Sequence, residues 1–320
     1  MEEEAASWSL PLSRLALQRV MVRMLFDSEY TNRVLREPGV TLSAETLTGE
    51  EIAWLLRPDP RAWKTDPDRP LRSLGVLAQE YPTACALAGT SPGGVEALRS
   101  FFSSELFHGV VQRRGSMALA FGEFLLHLVS VGVAPNDGIA ALARLETAIA
   151  RLLRRISGEP ATMPAHFPAN ESSALEGRPG EFRLSDDKAL HLAASGSADL
   201  RDEVLGLLVD PRKGRGSFLE PMRSLPRTKI GSERSEPLLL ELVRIDGPRM
   251  KWPVGVAEIT RELFEILSFA SVPRPRPEIE AEAVRLGAEA EEAPEIVGGL
   301  VEEGVLIGMV EVPTPPSERF

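Results

Sequence analysis

The chain of 320 residues is long enough for two domains, and its 43% hydrophobic and 26% charged residues are typical of globular proteins. The net charge of −11 at pH 7 disfavours a nucleic-acid ligand, because phosphate groups repel an acidic surface. A single cysteine excludes an internal disulfide and a Cys-rich metal site, while an acidic start and the lack of an apolar run of roughly 20 residues favour a cytoplasmic protein.

The first half of the sequence predicts helices only, joined by short connections that suit a compact bundle. Pro38 and Gly39 end the first apolar run, and Thr48 with Glu51 forms a capping-box pattern at the start of the next one. The predicted helices lie over 12–37, 47–56, 68–81, 94–108, 112–131 and 137–156.

The second half has a mixed pattern of short strands and helices. Asp246-Gly247 predicts a two-residue hairpin turn between two strands, whereas 210–236 shows no clear periodicity. Strands are predicted over 181–184, 189–194, 238–245, 249–257 and 305–310, and helices over 200–209, 259–269, 277–286 and 293–302.

These elements predict an α+β chain with two domains. We expect an N-terminal all-α helical domain over 1–158 and a C-terminal α/β domain over 181–312, joined by a Pro- and Gly-rich linker over 159–180. A hairpin, three helices and a closing strand are the parts of a winged-helix unit, so we expect one in the C-terminal domain. We expect the tail, 313–320, to be disordered.

No group of residues in the sequence predicts a catalytic or metal site, and none predicts a cofactor. The four histidines do not fall three or four residues apart, as a helical metal-binding pair requires. Cys85 lies in an apolar helical setting without a neighbouring base, which favours a core thiol. An enzyme that uses His108 with Glu105 or Glu123 stays open as an alternative.

The segment 98–122 concentrates aromatic, arginine and small residues, and it has two interpretations. A tightly packed helix pair would bury these side chains in the interior of the domain. Aromatic and arginine residues also dominate the energetics of protein interfaces, which favours a surface that docks a partner. The partner-binding residues predicted on the second interpretation are Phe101, Phe102, Phe107, His108, Gln112, Arg113 and Ser116.

The winged-helix unit raises the question of its ligand. Glutamates and no lysine or arginine line 289–303, so the third helix would be repelled by DNA phosphates. Pro253 suits a sheet edge, where an extended peptide could add as another strand. The predicted peptide-binding residues are Trp252, Val254 and Val256 on the strand, with Ile296 and Leu300 as a groove wall. Ordinary core packing is the alternative.

The N-terminal half contains a set of short motifs that resembles a known group of proteins. The motifs are Leu47–Ile52, Asp59–Arg61, Glu80–Pro82 and the run Phe101–Gly122, within roughly 12–130. They resemble the partner subunits of multinuclear non-haem iron-dependent oxidative enzymes, which serve the biosynthesis of ribosomally made, post-translationally modified peptides. The methanobactin and thiaglutamate pathways contain examples.

The resemblance implies a function for both halves of the chain. Partner subunits of this group bind the iron oxidase and help to present a precursor peptide by its leader, and the iron with its ligands belongs to the other subunit. The C-terminal half agrees in layout with a peptide-recognition (RRE-like) winged helix. We therefore expect a non-catalytic protein in a heterodimer with the oxidase, without a cofactor of its own. A winged-helix transcriptional regulator with a helical sensor domain is the alternative.

Overall fold

The computed structural model describes residues 12–64, 66, 68–113, 115–134, 136–157, 180–208, 226–242 and 254–309. Over 12–157, every regular element that it describes is helical. The α-helices are α1 Leu12–Phe26, α2 Ser28–Arg36, α3 Pro38–Thr41, α4 Gly49–Leu56, α5 Arg69–Glu80, α6 Pro82–Gly89, α7 Gly94–Arg99, α8 Glu105–Arg113, α9 Met117–Ser130 and α10 Asp137–Ser157, with 3₁₀ turns at Pro60–Lys64 and Ser100–Ser103.

Local capping decides where several of these helices begin. The prediction of one helix over 12–37 is wrong at Asp27, which is extended and accepts a hydrogen bond from the Tyr30 backbone N–H at 2.9 Å, so α2 begins anew. The capping box is confirmed: Thr48 accepts from the Glu51 N–H, and the Glu51 carboxylate accepts from the Thr48 N–H. Pro82 occupies the first turn of α6, where its missing N–H costs nothing.

The C-terminal part of the chain mixes short strands with helices, which confirms the α+β class. Strands are β1 Glu181–Leu184, β2 Lys188–Ser195, β3 Gly231–Leu242, β4 Val254–Glu258, β5 Arg274–Pro275 and β6 Leu306–Gly308. Helices are α11 Ser197–Leu208, α12 Arg261–Phe269, α13 Arg276–Arg285 and α14 Ala293–Glu302. The described strands form two antiparallel sheets, in the orders β5-β1-β6 and β2-β3-β4.

The chain divides into two compact units. One comprises Met1–Ala143, Pro160–Phe167 and Val204–Leu225, and the other comprises Arg144–Glu159, Pro168–Glu203 and Pro226–Phe320. The division falls inside α10 after Ala143, so the last two thirds of this helix belong with the strands, whereas the sequence-based boundary followed the end of the helix at 158. The linker and tail predicted over 159–180 and 313–320 lie, except for Gly180, outside the described residues.

Strand β3 is buried on both faces of its sheet. Leu238, Leu240 and Leu242 alternate along it and form one apolar cluster with Val254 and with α10 residues Leu145, Ile149 and Leu152. Leu239 points to the opposite face and packs, with its cross-strand partner Leu190, against the cluster formed by α12, α13 and α14. One strand therefore holds a helix on each side of the sheet.

The hairpin predicted between β3 and β4 is confirmed in topology and differs in register. A two-residue turn at Asp246-Gly247 would place Leu242 opposite Lys251, yet Leu242 pairs with Val254, three residues later. The turn itself lies outside the described residues.

Among the helices that the structure describes, we find none with the length and apolar character that a bilayer crossing requires.

The turn between β2 and α11 depends on a glycine. Gly196 has φ +82°, and a Cβ there would lie 2.8 Å from the Lys229 carbonyl oxygen. Its N–H donates to the Glu236 carboxylate at 2.9 Å, and the Ser195 hydroxyl donates to the same carboxylate. A left-handed residue and a close backbone approach coincide here, so only glycine fits without strain.

We predict that Gly196→Ala destabilises the protein by about 2 kcal/mol or more, because it adds backbone strain and a steric clash. Gly206→Ala is a matched control: Gly206 lies within α11 with nothing near its Cβ position, so alanine there should stabilise by up to about 1 kcal/mol. Urea unfolding of both variants measures the sign of each change in the free energy of unfolding. Equal changes in the two variants would contradict the backbone strain assigned to position 196.

Candidate functional site

On the outer edge of β4, backbone groups point away from the sheet, and no strand among the described residues pairs with them. The Ile259 N–H donates to the Pro237 carbonyl at 3.1 Å, which makes 237 and 259 a hydrogen-bonded pair of the β3–β4 ladder. Such pairs alternate along antiparallel strands, so Gly255 and Ala257 also direct their backbone groups to β3. Val254, Val256 and Glu258 therefore direct their N–H and C=O groups away from β3. We call these outward groups the β4 edge.

A second hydrogen bond supports this assignment from the other side of β3. The Leu242 N–H donates to the Asp187 carbonyl at 3.0 Å, so Leu242, Leu240 and Leu238 direct their backbone groups toward β2. The backbone N–H and C=O groups of the intervening residues, including Leu239, then point toward β4, as the Ile259–Pro237 hydrogen bond requires. Within the described residues, β4 is the last strand of the sheet and pairs with β3 alone.

The side chains of β4 divide between the two faces of the sheet. Val254 is 8% exposed and Val256 is partly buried, and both lie on the α10 face opposite Leu242 and Leu240. On the other face β4 contributes only Gly255 and the exposed Ala257. The α10 face of this edge is therefore apolar at Val254 and Val256 and ends at the exposed Glu258, and the opposite face is lined by small residues.

The predicted groove wall does not share a cluster with Val254. Leu300 is 8% exposed and belongs to the α12–α14 cluster, which packs on the opposite face of the sheet from Val254 and Val256. Ile296, on the same helix, is 36% exposed. Trp252 lies outside the described residues. The structure thus brings Val254 and Val256 together with α10, and it places Ile296 and Leu300 on α14.

The acidic stretch predicted around α14 is exposed to solvent. Its four N-terminal glutamates, and two more at the C-terminal end of the helix, are Glu289, Glu291, Glu292, Glu295, Glu302 and Glu303. Between 286 and 303 the sequence has no lysine or arginine. This surface would repel a phosphate backbone, which disfavours the DNA-reading alternative.

The aromatic residues of the predicted partner site lie in the interior of the helical unit. Phe101, Phe102 and Phe107 are fully buried, with ring centroids 5.2 to 5.5 Å apart, and Phe26 of α1 stacks on Phe102 at 5.0 Å. Edge-to-face contacts of this kind stabilise a core beyond their buried area. This geometry agrees with the packed-helix interpretation of the segment and gives a partner no access to the three rings in this conformation.

His108 is also buried, with 3% of its surface exposed, and neither ring nitrogen has a hydrogen-bond partner. Burial, with a smaller contribution from the nearby Arg23 guanidinium, lowers the pKa of the imidazole to about 4. The neighbouring charges that act on this pKa are Arg23, Asp27 and Arg19. His108 is therefore neutral at pH 7, a core residue against Phe107.

The polar residues of the predicted partner site have separate local roles. The Gln112 side-chain oxygen, turned toward α1, accepts from Arg19 Nε at 3.1 Å and Nη1 at 2.9 Å, and Arg19 also pairs with Glu45. Ser116 is the N-cap of α9 and accepts from the Leu119 N–H at 3.4 Å. Arg113 is exposed, with its guanidinium over Gly109. Of the seven predicted residues, Arg113 presents the most surface.

Sequence reasoning missed the ion pair between Arg19 and Glu45, which connects α1 to the segment before α4. The hydrogen bonds from Arg19 to Gln112 connect α1 to α8 in the same way. No spacing rule would have paired residues so distant in the chain. It also missed Ile156, which continues the Leu145, Ile149 and Leu152 stripe of α10 by one turn and is 41% exposed. That signal was present in the helical spacing.

No cluster of three or more His, Cys, Asp or Glu side chains suited to a metal ion occurs in the described parts of the chain. Comparison with known protein families and with characterised proteins gives no sequence match.

We predict that His108 makes the protein less stable in mild acid. The unfolded imidazole titrates near pH 6.5 and the folded one near 4, so the unfolded state binds the extra proton and stability falls as the pH drops from 6.5 toward 4. The loss attributable to His108 between pH 8 and pH 5 is about 2 kcal/mol. Urea unfolding at both pH values should show a smaller pH effect for His108→Leu than for the wild type. The same loss of stability between pH 8 and pH 5 in the wild type and in His108→Leu would show that His108 is not its source.

Proposed function

We propose that this chain is a non-catalytic partner protein that binds a multinuclear non-haem iron oxidase and recruits the leader of a ribosomally made precursor peptide. The observation that carries the proposal is the β4 edge, a row of outward backbone donors and acceptors beside an apolar layer. The sequence motifs between 47 and 122 support the choice of oxidase. In this proposal the iron and its ligands belong to the oxidase, and the two proteins form a heterodimer in the cytoplasm.

Strand addition is the recognition mode that the β4 edge supports. An extended peptide beside β4 would hydrogen-bond to Val254, Val256 and Glu258, and its side chains would alternate between the two faces of the sheet. Main-chain bonds supply affinity for any extended segment, and the apolar face supplies selectivity. An unstructured leader can adopt the extended conformation that pairing requires without unfolding a domain, so it suits the edge.

The order of elements supports a winged-helix-like, RRE-like unit for this task. A three-stranded antiparallel sheet, β2 to β4, leads directly into three helices, α12 to α14, which share one apolar core. The sheet presents its last strand as an edge, and the helices cover one of its faces. This layout suits a peptide better than a nucleic acid because the exposed surface of α14 is acidic.

Docking of the oxidase must use the exposed part of 98–122, because the three phenylalanines are core residues. Among the described residues at the junction of α8 and α9, Arg113 and Met117 are exposed. A cation beside a flexible apolar side chain is a common pair in protein interfaces.

We predict that Arg113→Glu abolishes co-elution with the iron oxidase that the proposal names as the partner. Charge reversal at an interface introduces repulsion and leaves the fold intact, since Arg113 is exposed. Arg57→Glu, an exposed arginine just after α4, is the matched control and should co-elute normally. If the wild type elutes apart from the oxidase at micromolar concentration, the docking half of the proposal is wrong.

We predict that Val256→Pro weakens binding of the precursor leader at least about tenfold, whereas Val256→Ala weakens it less. Proline removes an N–H that points outward, so the β3 ladder keeps its bonds and the protein stays folded. Alanine loses the branched side chain but keeps the N–H, so the difference between the two variants isolates the main-chain bond. Fluorescence anisotropy of a labelled leader measures both, and equal affinities for both variants and the wild type would reject strand addition.

A further inference from the structure

We propose that the β2 side of α10 binds a compact dianion of the phosphate class, held by the guanidinium groups of Arg144 and Arg151 beside the imidazole of His191. All three residues belong to the C-terminal unit, and β2 lies at the opposite side of its sheet from β4. The inference goes beyond the proposed function, because neither the oxidase nor the leader is needed to test it.

One flank of α10 carries three arginines at helical spacing. Arg144, Ala148, Arg151 and Arg155 lie within about 60° of one another around the helix axis, since each residue advances by about 100°. The partly buried Ala148 packs against the apolar cluster between α10 and the sheet, so this flank borders that cluster. We call these four residues the arginine flank. In a chain with a net charge of −11, it is a local concentration of positive charge.

The last residue of the arginine flank shows which side of the sheet the flank follows. Arg155 donates to the Asp186 carbonyl at 2.8 Å and to the carbonyl of Lys188, the first residue of β2. The Leu242 N–H donates to the Asp187 carbonyl, so the neighbouring carbonyl of Lys188 points away from β3. The arginine flank therefore lies toward the outer side of β2.

His191 points from β2 toward α10. It pairs with Leu238, which belongs to the apolar cluster under α10, and residues opposite each other in neighbouring strands share a face. Its Nε2 atom is buried without a hydrogen-bond partner among the described residues, an arrangement that costs free energy and indicates a missing polar neighbour. Burial, followed by the charges of Arg151 and Arg144, lowers the pKa of the imidazole to about 4. Both cations thus act at the position of a neutral histidine.

The positive charge of this region is not balanced at Arg144. This side chain is exposed and forms no ion pair with a carboxylate of the described residues. The carboxylate that β3 contributes to the same face, Glu236, lies opposite Ala193 and accepts from the Gly196 N–H at 2.9 Å and from the Ser195 hydroxyl. It is therefore engaged at the end of β2, away from the arginine flank.

The spacing and chemistry of the two arginines indicate the class of the ligand. Two helical turns, about 10.5 Å, separate Arg144 from Arg151, so each side chain has to cover about half of this distance to reach a shared ligand. A guanidinium donates two parallel N–H groups to oxygens of phosphate, and a neutral imidazole has one more N–H to donate. Two cations balance the double charge of phosphate or of a phosphate monoester.

NMR spectra of the histidine imidazoles in the full-length protein test the site at pH 7. Sodium phosphate should shift the His191 signals in a saturable manner, beyond the effect of sodium chloride at equal ionic strength. His127, an exposed histidine on α9, is the internal control and should respond equally to both salts. Phenyl phosphate separates two sources of the dianion. Tighter binding than that of inorganic phosphate indicates a monoester on an organic molecule, and equal binding indicates the free ion; both results support the site.

Variants of the arginine flank test its direct role. Arg144→Gln and Arg151→Gln should each weaken phosphate binding at least about tenfold, because each removes a charge-assisted pair of hydrogen bonds. Arg261→Gln removes the same charge from an exposed position on α12 and should bind within about twofold of the wild type. Phosphate should also raise the Tm of the wild type and of Arg261→Gln more than that of the other two variants.

Three results would overturn the inference. A response of His191 to phosphate no larger than its response to chloride would exclude the site. Wild-type affinity in both Arg144→Gln and Arg151→Gln would show that these arginines do not hold the ligand. A diglutamate peptide that binds as tightly as phosphate would contradict the phosphate class.

Discussion

Burial of β3 on both faces is the constraint on which the C-terminal unit depends. Its alternate leucines hold α10 on one side through Leu238, Leu240 and Leu242, and the α12–α14 cluster on the other through Leu239. Strand pairing places β3 between β2 and β4. The Ile259–Pro237 hydrogen bond and the alternation of an antiparallel ladder then give the direction of each outward backbone group on β4.

The same constraint explains why β4 is suited to recognition. A sheet edge is an open template for another strand, and proteins usually protect it with charges, proline or a covering element. On β2, Arg155 of α10 donates to the Lys188 carbonyl at one end of the strand, while no described strand pairs with the outer side of β4. Within the described residues, the β4 edge borders the valines on the α10 face of the sheet.

The sequence predicted most of the regular elements because local signals determine them. α14 begins and ends where its apolar spacing and glycine turn place it, and the capping box at Thr48 marks the start of α4. The break at Asp27 was missed because the apolar spacing runs through it, and β5 was missed because two residues carry no periodicity. The hairpin was predicted, but its register depends on which face α10 covers, and spacing along one strand contains no such information.

The candidate sites were harder to predict than the fold because the same residue types serve cores and interfaces. Phe101, Phe102 and Phe107 suited both interpretations of their segment, and only their burial separates the two. Pro253 indicated that β4 is an edge strand that could bind a peptide, but not that Val254 and Val256 face α10 rather than α14. Amide hydrogen exchange measured with and without the precursor leader tests the central claim most directly. In the free protein the Gly255, Ala257 and Ile259 amides should be protected and the Val254, Val256 and Glu258 amides should exchange fast, and the leader should slow the second set. Slow exchange of those three amides in the free protein, or unchanged exchange in the complex, would contradict the account.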